Sequence, residues 1–133
     1  MELRRIGSVS SPLREREEAP KQGDEGAPEA VLEILSEFEP ALEGIEAGEE
    51  ILVFTWLDRA DRDVLSVHPR GDAGRAETGV FATRSPDRPN PVGLHRVRVL
   101  AIDGPRLRVA DLEALDGTPV VDLKPVLGEV GER

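Results

Sequence analysis

The run Thr83-Arg84-Ser85-Pro86-Asp87-Arg88-Pro89-Asn90-Pro91-Val92-Gly93-Leu94 sets two guanidinium groups four residues apart, with an amide side chain close behind. Planar, permanently charged donors recognise carboxylates and phosphates well, provided the backbone holds them in one pose. Three prolines supply that stiffness. Each fixes φ, lacks an amide donor and pushes the residue before it towards extended geometry. The run is therefore rigid, irregular backbone between two segments that read as strands, the kind of loop on which ligand-binding side chains are presented. A plain proline-rich turn carrying solvated arginines fits the same residues, so both readings stand at this point.

Other chemistry-bearing groups are sparse. The chain has no cysteine, which removes disulfides, thiolate ligands and a cysteine nucleophile. Its two histidines, His68 and His95, have no carboxylate spacing suited to a metal, and none is expected. His95 opens a strand and reads as a surface residue. No Gly-x-Gly-x-x-Gly follows a strand, so the dinucleotide-type cradle of doubly wound folds is missing. Asp116-Gly117-Thr118-Pro119 is a turn that presents backbone groups, and a simple tight turn explains it when taken alone.

The elements that must position these residues are short. Leu3, Ile6 and Val9 make a first strand ending at Ser10-Ser11-Pro12. Residues 13 to 28 form a charged, Gly- and Pro-containing loop that is expected to be mobile. Ala30 to Leu35 suits strand or helix by period alone. Ile51 to Leu57 is a continuous apolar run and reads as a buried strand. Val64 to Val67 and Val80 to Thr83 read as further strands. Leu94 to Ile102 and Leu107 to Leu112 flank Asp103-Gly104-Pro105-Arg106 as a hairpin. Arg96, Arg98, Arg106 and Arg108 alternate with apolar residues there. A solvated face is the commoner case, and a cationic surface for RNA phosphates is the functional one. Val120 to Leu123 is the last strand. Many short strands and one or two short helical turns give an all-β fold, a small single-domain β-barrel over residues 1–133.

Composition bounds the function. At 133 residues with 3% aromatics, Val, Leu, Ile and Ala must fill a single modest core. No apolar run approaches the ~20 residues that span a bilayer. Met1 to Arg5 leads into glycine and serines rather than an apolar segment, so a cytoplasmic protein is expected. Twenty-seven acids against 17 bases give a net charge of −10, which counts against nucleic-acid binding over the whole surface. The imbalance is uneven: residues 14 to 50 are densely acidic, whereas 59 to 108 hold most of the arginines.

The proline run, preceded by Gly79-Val80-Phe81-Ala82, closely resembles the signature of the TsaA-like barrel family. Further matches are Ile6-Gly7-Ser8-Val9-Ser10-Ser11-Pro12, Pro20-Lys21-Gln22, Trp56-Leu57-Asp58-Arg59-Ala60-Asp61-Arg62, His68-Pro69-Arg70-Gly71-Asp72 and Leu115 to Pro125. The resemblance implies an S-adenosylmethionine-dependent tRNA methyltransferase acting on N6 of threonylcarbamoyladenosine beside the anticodon. It also implies a strand at Ala30 to Leu35 followed by a helical turn from Pro40 to Ile45, and a homodimer, with tRNA as partner. Cofactor contacts then fall at Pro20, Lys21, Gln22, Asp58, Arg59, Arg84, Leu94, Asp116, Gly117, Thr118 and Pro119. The conjugated acceptor nitrogen must lose its proton during attack, and a carboxylate such as Asp58 or Asp116 can accept it. Asp58 departs from the pattern, since relatives usually carry histidine there. Some relatives continue beyond the position of Lys124-Pro125 into a further tRNA-holding domain. The end of the chain at Arg133 and the acidic charge keep a small-molecule acceptor, or a non-catalytic S-adenosylmethionine-binding module, open beside tRNA.

Overall fold

The computed structural model describes residues 1–14, 28–68, 74 and 76–128. Its strands are β1 (Gly7–Ser10), β2 (Ala30–Ile34), β3 (Glu50–Trp56), β4 (Ser66–Val67), β5 (Thr78–Gly79), β6 (Val92–Asp103), β7 (Arg106–Ala110) and β8 (Pro119–Pro125). Six of them close into an all-antiparallel barrel in the order β1-β2-β7-β6-β3-β8, and β4 pairs with β5 outside it. The all-β barrel read from the strand pattern is the fold.

Alternation with period two turns this closed sheet into a core. Along β6, Gly93, His95, Val97 and Val99 point inward while Val92, Leu94, Arg96 and Arg98 point out. Val9, Leu32, Ile51, Val53, Leu107, Val109, Leu112 and Val120 fill the lumen from the other walls. Each such Val or Leu contributes roughly 1.5–3 kcal/mol through removal from water. β3 corrects the expectation of a strand buried on both faces: Ile51, Val53 and Thr55 are buried, whereas Leu52, Phe54 and Trp56 are only half-covered. A continuous apolar run does not distinguish a core strand from a barrel wall whose outer face is apolar.

Two further segments differ from the sequence reading. Val80–Ala82 is a 3-10 turn rather than a strand, and the strand pairing sits just before it at Thr78–Gly79. The other helical segment, Ser36–Leu42, begins earlier than expected and includes Pro40. Phe38 and Leu42 from this helix pack on the core as it follows the end of β2. None of the helices in the described residues is long and apolar enough to cross a membrane.

Because neighbouring strands alternate in direction, three connections emerge at one end of the barrel. They are the connections that follow β1, β3 and β7. The opposite end carries residues 35–49 and the tight Gly104-Pro105 turn. Among the described residues, Asp58, Arg59, Arg84 and Asp116 to Thr118 lie in these connections, and Leu94 and Pro119 lie in the strands that leave that end.

Candidate functional site

Three of the adjacent strand ends on this rim, those of β8, β3 and β6, form one arc. At the β8 end, Gly117 has φ 84, a left-handed value that glycine adopts at no steric cost. The turn closes with the Thr118 amide donating to Leu115 O at 3.1 Å, and the Thr118 hydroxyl donating to the same oxygen at 2.7 Å. Gly117 N donates to Val9 O (2.7 Å) and Val9 N to Thr118 O (2.9 Å), which ties the turn to β1. Pro119 then starts β8, where the missing amide donor is tolerated.

Asp116 is committed on both oxygens: Oδ1 accepts the Ser11 amide at 2.9 Å and Oδ2 lies 3.2 Å from Arg14 Nη1. Arg59 Nη1 in turn donates to the Arg14 carbonyl at 2.6 Å. Two residues selected from sequence, Arg59 and Asp116, are thus joined through a third, Arg14, which belongs to the stretch expected to be a mobile charged loop. No local pattern links residues that far apart along the chain. Asp58, beside Arg59, is exposed, and its carboxylate makes no hydrogen bond or ion pair among the described residues.

The proline run is held from within. Arg88 donates Nε to Ser85 O at 2.7 Å and Nη2 to Val80 O and Thr83 O at 2.6 and 2.5 Å. Its guanidinium therefore serves as an internal clasp. Arg62 clasps the run from outside, with Nε donating to Pro89 O at 2.8 Å and Nη2 to Asn90 Oδ1 at 3.0 Å, while lying 5.1 Å from the Trp56 ring centroid. Asp87 Oδ1 accepts the Asp61 amide at 2.9 Å. Of the two arginines in the run, Arg84 alone is left exposed, without hydrogen bond or ion pair among the described residues.

Leu94 faces outward from β6 and is 38% exposed. It lies opposite Phe54, and Val92 lies opposite Trp56. These four side chains form an apolar outer surface directly below the rim. The outer face elsewhere is charged: Arg96 pairs with Glu50 at 3.0 Å and Arg106 with Glu33 at 3.6 Å away from the rim, and Arg108 with Glu29 at 3.7 Å beside it. The Arg96 hydrogen bond holds the Glu50 carboxyl below its ordinary value of 4.5, aided by the charges of Arg96 and Arg98 against a smaller desolvation effect. Three of the four arginines in the stripe of β6 and β7 are therefore laced to acids across the sheet, Arg98 being the exception.

His95 is a correction. It is buried, at 5% exposure, because its position on β6 points into the lumen. Its Nε2 lies 2.6 Å from Thr55 Oγ1 and its Nδ1 2.5 Å from Glu113 Oε1. His68 is exposed, and the rest of its motif lies outside the described residues, as do Pro20, Lys21 and Gln22. Among the described residues no three His, Cys, Asp or Glu side chains are grouped to hold a metal ion.

Residues 8–131 match the family model described as tRNA-methyltransferase O N-terminal domain. A probable S-adenosyl-L-methionine-binding protein of Archaeoglobus fulgidus is 49% identical over 125 residues, covering 94% of this chain and 34% of that protein. Another of that description, from Methanothermobacter thermautotrophicus, is 45% identical over 128 residues, covering 96% of this chain and 91% of that protein. The crystal structure of TrmO from Pseudomonas aeruginosa superposes with a TM-score of 0.76 at 30% identity, over 100% of this chain and 59% of that one. The chain thus spans about a third of the first relative and under two thirds of the solved structure. With the barrel, the clasped proline run and a match of this extent, the chain belongs to the tRNA-methyltransferase O N-terminal domain family.

Proposed function

We propose that the chain is an S-adenosylmethionine-dependent methyltransferase whose acceptor is N6 of threonylcarbamoyladenosine beside the anticodon of tRNA. The relatives named as S-adenosyl-L-methionine-binding proteins and the family description support this reading. The observation that carries it is the arc itself: an unengaged guanidinium at Arg84, an unengaged carboxylate at Asp58, and an apolar face at Phe54, Trp56, Val92 and Leu94. These are the chemistries that a carboxylate, ribose hydroxyls or a sulfonium, and an adenine ring require. When bound, S-adenosylmethionine supplies a methyl group already activated on sulfur. The task of this chain is then alignment and exclusion of water.

In this reading Arg84 forks onto the cofactor carboxylate and Leu94 lines the adenine. The Asp116-Gly117-Thr118-Pro119 turn presents backbone groups, and Pro20, Lys21, Gln22 and Arg59 complete the contacts. Asp58 faces the reacting end without repelling a positive sulfur. The acceptor nitrogen is conjugated and must shed its proton during attack, which a carboxylate can take. Asp116 already holds Ser11 and Arg14, which leaves Asp58 the better placed of the two.

Calorimetry with S-adenosylmethionine tests the site: wild type binds, and Arg84→Ala weakens binding by about tenfold or more, as loss of a charge-assisted contact of ~1.5–3 kcal/mol requires. Equal affinities remove Arg84 from the site. Methyl incorporation into tRNA reading codons that begin with adenosine, lost when the threonylcarbamoyl group is missing, tests the acceptor. Turnover retained in both Asp58→Asn and Asp116→Asn excludes these carboxylates as the base.

The arginine stripe, acid-paired at Arg96, Arg106 and Arg108, favours one second reading, a small-molecule acceptor on the same cofactor site, since it offers phosphates little unpaired charge beyond Arg98. Cofactor binding without transfer to any tRNA or metabolite pool is the outcome that identifies a non-catalytic binding module. A homodimer is part of the same proposal. The outward Phe54, Trp56, Val92 and Leu94 supply an apolar surface for it, and sedimentation of wild type against Val92→Lys reads the association.

A further inference from the structure

Four polar side chains are buried among the described residues, Ser11, Thr55, His95 and Thr118, and all four lie at the rim end of the barrel. The remaining buried side chains are apolar or those of glycine and proline. Burying an ionisable pair where Val or Leu would pack costs stability, so the concentration of polar groups at this end calls for a role other than filling space. The most deeply built of these groups is the chain Thr55–His95–Glu113. With its proton on Nδ1, the imidazole donates to Glu113 Oε1 and accepts from the Thr55 hydroxyl, at 2.5 and 2.6 Å. No buried side-chain nitrogen or oxygen among the described residues lacks a partner.

Room for this ring comes from Gly93, which lies opposite Thr55. A Cβ there would stand 2.3 Å from Thr55 Oγ1 and 2.7 Å from His95 Nε2. The three linked residues come from the three pieces of the arc. Thr55 precedes Asp58 by three positions on β3, His95 directly follows Leu94 on β6, and Glu113 precedes Asp116 by three positions in the connection to β8. One imidazole therefore fixes the spacing between the segments that carry Asp58, Leu94 and the Asp116 turn.

We propose, on the reading of this rim as the S-adenosylmethionine site, that His95 is a positioning residue that sets the cofactor-binding geometry by bridging Thr55 and Glu113 inside the barrel. It acts through its hydrogen bonds and does not touch the cofactor.

The test compares S-adenosylmethionine affinity by calorimetry with thermal unfolding in the full chain, for wild type, His95→Leu, Thr55→Val, Glu113→Ala and Glu113→Gln. All affinities are measured well below each variant's unfolding midpoint. His95→Leu, Thr55→Val and Glu113→Ala are expected to weaken binding by about tenfold or more, the scale of loss when a binding group is displaced by a fraction of an ångström. Glu113→Gln, whose amide oxygen still accepts from Nδ1–H, is expected to bind close to wild type. Lowered midpoints with unchanged affinity in the folded variants would reduce the bridge to a stabilising role and overturn the proposal. Should His95→Leu fail to fold, Thr55→Val, which keeps the side chain's shape, decides the matter. Absence of binding by wild type sinks the cofactor reading and the inference with it, whereas binding by wild type and all variants alike sinks only the inference.

Discussion

Arg84 and Arg88 look equivalent in the sequence, but the fold gives them opposite tasks. Arg88 spends its donors on three carbonyls of its own loop, so it shapes the loop from which Arg84 projects. Replacing Arg88 by alanine takes the donor from the part-buried Ser85 and Thr83 carbonyls, at about 1–3 kcal/mol, while Val80 O keeps the Thr83 amide and hydroxyl. Arg88→Lys is expected to recover little of this, because an ammonium cannot reproduce the planar fork. Urea unfolding reads the loss, and S-adenosylmethionine affinity should fall with it although Arg88 itself faces inward. A variant that is destabilised yet binds normally would show that Arg84 is positioned without the clasp. Gly93→Ala makes a second residue-scale case. Its Cβ would fall 2.3 Å from Thr55 Oγ1, far inside contact distance, so overpacking of about 1–3 kcal/mol is expected. Combining it with Thr55→Ala should return part of that loss, and a purely additive double variant would place the strain elsewhere.

At the scale of the strand, the outer faces of β3, β6 and β7 are stitched by cross-strand charge pairs, and one of these carries a pH signature. Glu50 is held below its ordinary 4.5 by Arg96. A depressed carboxyl contributes stability that is present above its unfolded value and lost as pH falls through its folded value. The wild-type advantage over Glu50→Gln should therefore be full near neutrality, decline as pH falls below 4.5 and vanish once the folded-state carboxyl is protonated, with a double-mutant cycle against Arg96→Ala giving about 0.2–1 kcal/mol for so exposed a pair. An advantage that grows on acidification would have the wrong sign. These pairs also show what the sequence made legible. Alternation of Arg96, Val97, Arg98 and Val99 gave the hairpin and its two faces, because period two is a local property. The acids opposite them, Glu50, Glu33 and Glu29, are set by register between strands distant in sequence. The same limit hid His95: its neighbours Thr55 and Glu113 come into reach only when the barrel closes, and a polar ring at a strand start resembles a solvated one. Val80 to Thr83 reads as strand from its sequence for a related reason, although Val80–Ala82 is a 3-10 turn. Its apolar residues suit either structure, and it is the Arg88 clasp on Val80 and Thr83 that fits the tight turn. The arc of Asp58, Arg84 and the Asp116 turn was legible as a set of residues through the family resemblance, whereas the arc's internal wiring through Arg14 and Arg62 was not.

Over the whole molecule the net charge of −10 opposes a polyanion, and the distribution of that charge decides how strongly. The arginines of β6 and β7 sit among Glu29, Glu33 and Glu50, and the Arg62 and Arg88 guanidiniums hold loop carbonyls. A phosphate backbone approaching the rim therefore meets few uncommitted cations, Arg84 foremost. Counterion release then predicts a shallow salt dependence: engaging about three phosphates of single-stranded RNA gives a log–log slope of roughly −2. Filter binding of tRNA between low and moderate salt should show this slope, and Arg84→Ala should lower affinity while making the slope shallower. A slope several times steeper would mean that the acid-paired stripe opens to release its arginines. In that event Glu33→Gln and Glu29→Gln should strengthen binding, which they should not do if the stripe stays closed. A slope indistinguishable from zero, together with undiminished cofactor affinity, would separate the two halves of the proposed function, keeping the methyl donor on the rim and replacing the tRNA with a small acceptor.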